Sequence, residues 1–238
     1  MHDEHRSFLL IAALTTLLVF CGESNGQVQK DPHRPACTSA RCLRIKSFVK
    51  AHYCGAPEGN GPEDSCAIRR PKTLGGGVKV TSDFECKWTE GRRTCRQNGQ
   101  PSSDVRGLLI DELRSLGLPA RASGQIYFTV WESTSAGWSL GEAYYDHVAG
   151  TNLLLCEVIA IIDRSSHLHV ARKVPFQKTD VDVPAVTTWS LVDLADVDGD
   201  GNVEIILEGD AYEDHWLEVD TAQDGSPQTI FSGLGYYL

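Results

Sequence analysis

Residues 125–131 read Gln125-Ile126-Tyr127-Phe128-Thr129-Val130-Trp131, and at this point the periodicity of the chain changes. β-Branched and aromatic side chains suit a pleated, half-buried surface, so the stretch predicts a strand. Further strand candidates follow at 138–148, 153–163, 167–176, 187–195, 203–208, 215–220 and 228–232, mostly separated by turn residues at hairpin spacing. Upstream the pattern is helical. Between Asp104 and Leu116, the residues Val105, Leu108, Leu109, Leu113 and Leu116 form one stripe, with Ser103 placed to cap the helix and Gly117 to stop it. Cys42 to Tyr53 places Ile45, Phe48, Val49 and His52 at helical spacing. The expected fold class is α+β, with a disulfide-linked, partly helical N-terminal region followed by a mainly antiparallel β-sheet meander. The expected organisation is a leader over 1–26, a polar linker over 27–36, a Cys-rich, partly helical region over 37–122 and a β-rich region over 123–238.

Moving outward to the N-terminus, Phe8 to Phe20 carries no charge. As a helix it would be about 20 Å long, short of a bilayer core of about 30 Å. It therefore reads as the apolar part of a secretory signal rather than a membrane span. Ser24-Asn25-Gly26 offers small residues for cleavage before Gln27. Alternatively, Leu18-Val19-Phe20-Cys21 resembles a bacterial lipobox, with Phe20 where a small residue is the rule. Cys21 would then be acylated and serve as a lipid anchor, the one membrane attachment the sequence suggests. The localisation expected is secreted, periplasmic or cell-envelope.

The cysteines agree with an oxidising compartment. Of eight, six fall between Cys37 and Cys95, in a stretch rich in Gly, Pro and charge. Such a stretch buries little apolar surface, so covalent staples would help it fold. Six cysteines allow fifteen connectivities. Nearest-neighbour pairing is the simplest, joining Cys37–Cys42, Cys54–Cys66 and Cys86–Cys95, the last across a hairpin turning at Glu90-Gly91. The spacings lack the C-x-x-C pattern of a zinc site. Cys156 lies in the apolar run 153–159 and reads as a buried, inert thiol.

Charge excludes one class of partner. The net charge is −10, from 22 Lys+Arg against 32 Asp+Glu. Residues 1–125 hold 18 of the basic and 13 of the acidic groups, leaving 4 and 19 for residues 126–238. Generic nucleic-acid binding needs a basic surface and is not expected.

The acid-rich half contains one stretch whose spacing carries chemistry, Asp193-Leu194-Ala195-Asp196-Val197-Asp198-Gly199-Asp200-Gly201-Asn202-Val203-Glu204-Ile205. Asp196, Asp198, Asp200, Asn202 and Glu204 alternate, and Gly199 and Gly201 allow a sharp turn around a small centre. Two carboxylates at 4 Å repel by about 4 kcal/mol at an effective dielectric near 20. Such a loop either stays spread in water or takes a hard cation. Ca²⁺, with six to eight oxygens in flexible geometry, suits it better than Mg²⁺. It is not an EF-hand, because the twelfth position counted from Asp196 is Leu207 and the flanking segments read as strands. The stretch resembles the FG-GAP/VCBS-type repeat, the calcium loop of integrin-α-like β-propellers and of many exported bacterial proteins. The resemblance implies a loop joining two strands. It assigns side-chain ligands to Asp196, Asp198 and Asp200, a backbone carbonyl to Asn202, and closure of the site to Glu204. One copy is present, so a propeller is not implied. The chain as a whole resembles exported bacterial proteins with a single loop of this kind, which supplies no activity.

Other candidates are weaker. His167 and His169 flank Leu168 as zinc ligands sometimes do. Asp210, Glu213, Asp214 and His215 could extend the acidic surface. Trp131, Trp138, Tyr144, Tyr145, Trp189 and Trp216 could line a glycan-binding face, although such residues more often pack. A Glu132/Glu142 pair would be the place for glycoside hydrolysis, and a Cys156–His147 pair for nucleophilic catalysis. The function expected is an exported protein with a structural calcium ion, acting as a binding module for a protein or a glycan. The alternative is a secreted hydrolase in which calcium is scaffolding.

Overall fold

The computed structural model describes residues 37–55, 66–71, 78–82, 84–89, 92–97, 103–122, 124–133, 137–182, 184–212, 214–222 and 225–237. The expected signal segment, Cys21 and the expected linker over 27–36 lie outside the described residues. Among the described residues there are two helices and mostly antiparallel sheets, as the α+β reading expects.

Helix α1 spans Ala40–Tyr53, and Ser39 caps it by accepting the Cys42 amide at 3.1 Å. Its buried line is Ile45, Val49 and Tyr53, at successive turns. His52, expected on that face, is exposed and stacks on partly buried Phe48 at the flank. Two short strands follow, β1 (Cys54–Gly55) and β2 (Ala67–Ile68), which pair with each other. Disulfides Cys37–Cys42 and Cys54–Cys66 close the two ends of α1, with Cα separations of 5.4 and 4.9 Å. Next come β3 (Val78–Ser82) and the hairpin of β4 (Phe84–Thr89) and β5 (Arg92–Gln97). Cys86 stands directly opposite Cys95 in that hairpin, while the side chains of both lie outside those described. Helix α2 spans Ser103–Ser115. Ser103 is its first residue rather than a cap outside it, and its hydroxyl donates to Asp104. The helix stops where Gly117 takes φ +100°. There Leu118 donates to the Leu113 carbonyl and Gly117 to that of Arg114, satisfying two terminal acceptors.

The remaining strands are the eight expected. They are β6 (Gln125–Ser133), β7 (Ser139–Ala149), β8 (Asn152–Ile162), β9 (Leu168–Asp180), β10 (Thr188–Ala195), β11 (Glu204–Ala211), β12 (Asp214–Thr221) and β13 (Gln228–Tyr237). They form two antiparallel meanders, β6-β7-β8-β9 and β10-β11-β12-β13, and β3 adds to the β6 edge of the first. The Cys-rich region thus contributes a strand to the larger sheet. The two sheets stack face to face between the helices. Trp131, Leu140, Ile159, Ile161, Leu191, Leu194, Ile205 and Leu207 fill the space between the sheets. On the outer face of the first sheet, Leu109 and Leu113 of α2 meet Phe128, Ala143, Tyr145, Cys156 and Val158. On the outer face of the second, Ile45 and Val49 of α1 meet Val192, Ile206, Leu217, Val219 and Phe231. The layers run α1, sheet, sheet, α2, and both sheets are covered on both faces. That explains the nearly continuous apolar run of β8, which an amphipathic strand would not show. No helix among the described residues is long and apolar enough to cross a membrane.

Candidate metal centre

The acidic loop is the connection between β10 and β11. Strand β10 enters it through a bulge. Leu191 faces Leu207 and Asp193 faces Ile206, so Val192 is the extra residue. The bulge turns Asp193 to the α1 side, where its carboxylate accepts the Tyr53 hydroxyl at 2.8 Å and the Leu194 amide at 2.7 Å. Burial, together with Asp193, holds the Tyr53 hydroxyl above the usual phenol range. Val197 is buried in the core under α1, which anchors the first half of the loop.

Beyond Val197 the loop wraps around its own carboxylates. Asp196 Oδ1 accepts the amides of Gly199 at 2.8 Å and Asp200 at 3.1 Å, and Oδ2 accepts that of Gly201 at 3.0 Å. Gly199 and Gly201 take φ +78° and +87°, where a side chain would be strained. Asp198 Oδ1 accepts the Asp200 amide at 3.1 Å, and Asp200 Oδ1 that of Asn202 at 2.8 Å. The Asn202 contact holds the Asp200 carboxyl below its ordinary range. Glu204, the first residue of β11, is 0% exposed; its Oε2 accepts the Val197 amide at 2.9 Å. Its other oxygen, Oε1, is buried and has no hydrogen-bond partner among the described residues. Burial, and secondarily the neighbouring Asp198, Asp200 and Asp196, push the Glu204 carboxyl up to about 7.

Of the five residues singled out by spacing, three converge. Asp196, Asp198 and Glu204 each offer a carboxylate oxygen, and these atoms lie within 4.8 Å of one another. Oxygens at 2.3–2.6 Å from one calcium ion are at most about 5 Å apart, so the set fits a single ion of that size. An all-oxygen donor set also favours a hard cation over zinc or copper. Asp200 and Asn202 stand outside the convergent group and are exposed. A sixth residue enters that the sequence pattern does not contain. Arg41, in the first turn of α1, donates from Nε to Asp198 Oδ2 at 2.5 Å, and its Nη2 lies 3.7 Å from Asp200 Oδ2. The two residues are 157 positions apart, and no local signal joins them.

The other candidates resolve differently. His167 and His169 both approach Asp163 Oδ2 at 3.4 Å, in the turn between β8 and β9. Among the described residues, however, the metal-sized group is the acidic one at 196–204. His215 lies 3.6 Å from Glu208 and 3.5 Å from Asp210, and Arg70 binds Glu208 at 2.6 Å, so this acidic patch is internally compensated. Glu213 lies outside the described residues. Trp131 is 8% exposed in the inter-sheet core. Trp189 meets Trp216 edge-on at 5.5 Å and stacks under Arg172 at 4.7 Å, so these aromatics pack rather than form an open face. Arg172 itself bridges the sheets by pairing with Asp220 at 2.7 Å and with Glu218. Glu142 lies opposite Thr129, three residues from Glu132 along β6, which places the two glutamates on opposite faces of the sheet. Cys156 is buried with its thiol pushed up to about 11 by burial, which fits an inert residue. No family model, curated protein or solved structure matches the chain.

Proposed function

We propose that this is an exported module that binds one calcium ion in the β10–β11 loop, that the ion is structural, and that the module binds a protein or a glycan. The observation that carries the metal assignment is the Glu204 carboxylate: one of its oxygens lies within 4.8 Å of carboxylate oxygens of Asp196 and Asp198, and its Oε1 is buried without a hydrogen-bond partner among the described residues. Leaving a buried acceptor unsatisfied costs about 1–3 kcal/mol, more when charged. A divalent cation at that point removes the penalty and the mutual repulsion of the carboxylates together. The resemblance of 193–205 to the FG-GAP/VCBS-type loop selects calcium among hard cations. Asp196, Asp198 and Glu204 would supply carboxylate oxygens. Asp200 and the Asn202 carbonyl, assigned by the resemblance, would complete the shell after a local adjustment of the exposed half of the loop.

A structural role follows from what the ligands already hold. Asp196, Asp198 and Glu204 each accept backbone amides of the loop, so an ion bound to them would lock the connection between two strands. The two disulfides favour an oxidising compartment, in keeping with the signal-like N-terminus. At free calcium one hundred times the dissociation constant, binding would stabilise the fold by about 2.7 kcal/mol. For a chain of this size the melting temperature should rise by about 5–10 °C between EGTA and millimolar calcium. An unchanged midpoint, with calorimetry showing no calcium heat, would overturn the proposal.

A further inference from the structure

We infer that Arg41 is a built-in counter-ion that competes with the metal for the β10–β11 loop and so lowers its calcium affinity. This rests on the calcium reading and adds a control to that same site. Asp198 supplies one of the three converging carboxylates, and its side chain is 3% exposed. Its Oδ1 is engaged by the Asp200 amide, and its Oδ2 is held by Arg41 Nε at 2.5 Å. A calcium ion on that carboxylate would stand within a few ångströms of a guanidinium that cannot lose its proton. The two cations repel at that range, so full coordination requires the arginine to withdraw.

The guanidinium is also poorly satisfied where it sits. Its Nη2 is shielded from solvent and has no hydrogen-bond partner among the described residues, and Asp200 Oδ2 stands 3.7 Å from it. One positive charge meets two carboxylates, Asp198 and Asp200, of a loop that carries four, at 196, 198, 200 and 204. Exchange for a divalent ion therefore improves both charge balance and coordination. The side chain has a way out, being 41% exposed. Its backbone does not move freely, because Ser39 caps the helix there and Cys42 is bonded to Cys37. The staple thus holds Arg41 at the mouth of the loop, ready to return when calcium falls.

The test is calcium titration calorimetry of the full oxidised chain, comparing wild type with Arg41→Met and Arg44→Met. Arg44 is exposed one turn further along the same helix, so its replacement removes the same charge without removing the hydrogen bond to Asp198. Arg41→Met should tighten calcium binding by roughly two- to fivefold, the range of a surface-accessible ion pair. Arg44→Met should leave the affinity at the wild-type value. Arg41→Met should also enlarge the calcium-induced rise in melting temperature, because the loop in EGTA loses its counter-ion. Equal affinities in all three proteins, or weaker binding by Arg41→Met, would overturn the inference and leave the calcium reading intact. Absence of calcium heat from every protein would overturn both.

Discussion

The two helices occupy equivalent places, each on the outer face of a meander, yet they are held there by different means. α2 presents two fully buried leucines, Leu109 and Leu113, supported by Val105, Ile110 and Leu116, and ends in a glycine-closed turn. α1 buries less aliphatic surface. It is fastened by a disulfide at each end, by the Tyr53–Asp193 hydrogen bond and by Arg41 on Asp198. A helix with a leucine stripe is retained by removal of apolar area from water. A helix whose faces are mostly polar needs covalent or charged tethers to the same end. The acidic loop lies beneath the second kind of helix, so the candidate metal centre belongs to the tethered half of the molecule.

The largest effect that would break this comparison is expected in the leucine half. Leu113→Ala should destabilise the protein by about 2–5 kcal/mol in urea unfolding, through lost transfer energy and a cavity under α2. A loss under 1 kcal/mol would show that α2 is not held by burial. In the tethered half, Cys54 and Cys66 close a 12-residue separation. Replacing both with serine should remove about 3 kcal/mol. Amide hydrogen exchange should then accelerate in α1 while α2 stays protected. Equal loss of protection in both helices would mean that the two outer layers unfold as one unit.

The smallest effect sharpens the electrostatic side. Glu208, whose carboxylate stands 3.6 Å from the ring, raises the His215 imidazole above its ordinary value of about 6.5, against the opposing effect of burial. A raised folded-state pKa contributes stability that is complete below the unfolded value and is lost as pH climbs through the folded one. The urea midpoint of the wild type should therefore fall further than that of His215→Gln between pH 6 and pH 8. Parallel profiles would show that the His215 contacts add nothing to stability.

Much of the fold was legible because it rests on local pattern. The eight C-terminal strands follow from β-branched and aromatic content and turn residues, and α2 from a leucine stripe closed by Gly117. Two disulfides followed from proximity in sequence. In the candidate site, the spacing of Asp196, Asp198 and Glu204 anticipated residues that do converge. His52 was misplaced because helical spacing alone does not say which of two adjacent stripes meets a sheet. For Trp131 packing was the commoner expectation and the structure buries it, but an aromatic residue reads alike in a core and on a surface, so the sequence alone left a ligand face open.

The sequence by itself determined where the chain turns, which segments are strand-like, and where the acidic loop lies, since each depends on neighbours a few positions away. Only the tertiary structure decided that the two meanders stack, that α1 packs over the start of the loop, that Glu204 is buried with one oxygen unpartnered among the described residues, and that Arg41 reaches Asp198 across 157 residues. Burial and charge pairing are set by distance in space. Chain spacing constrains that distance only within an element or a short turn.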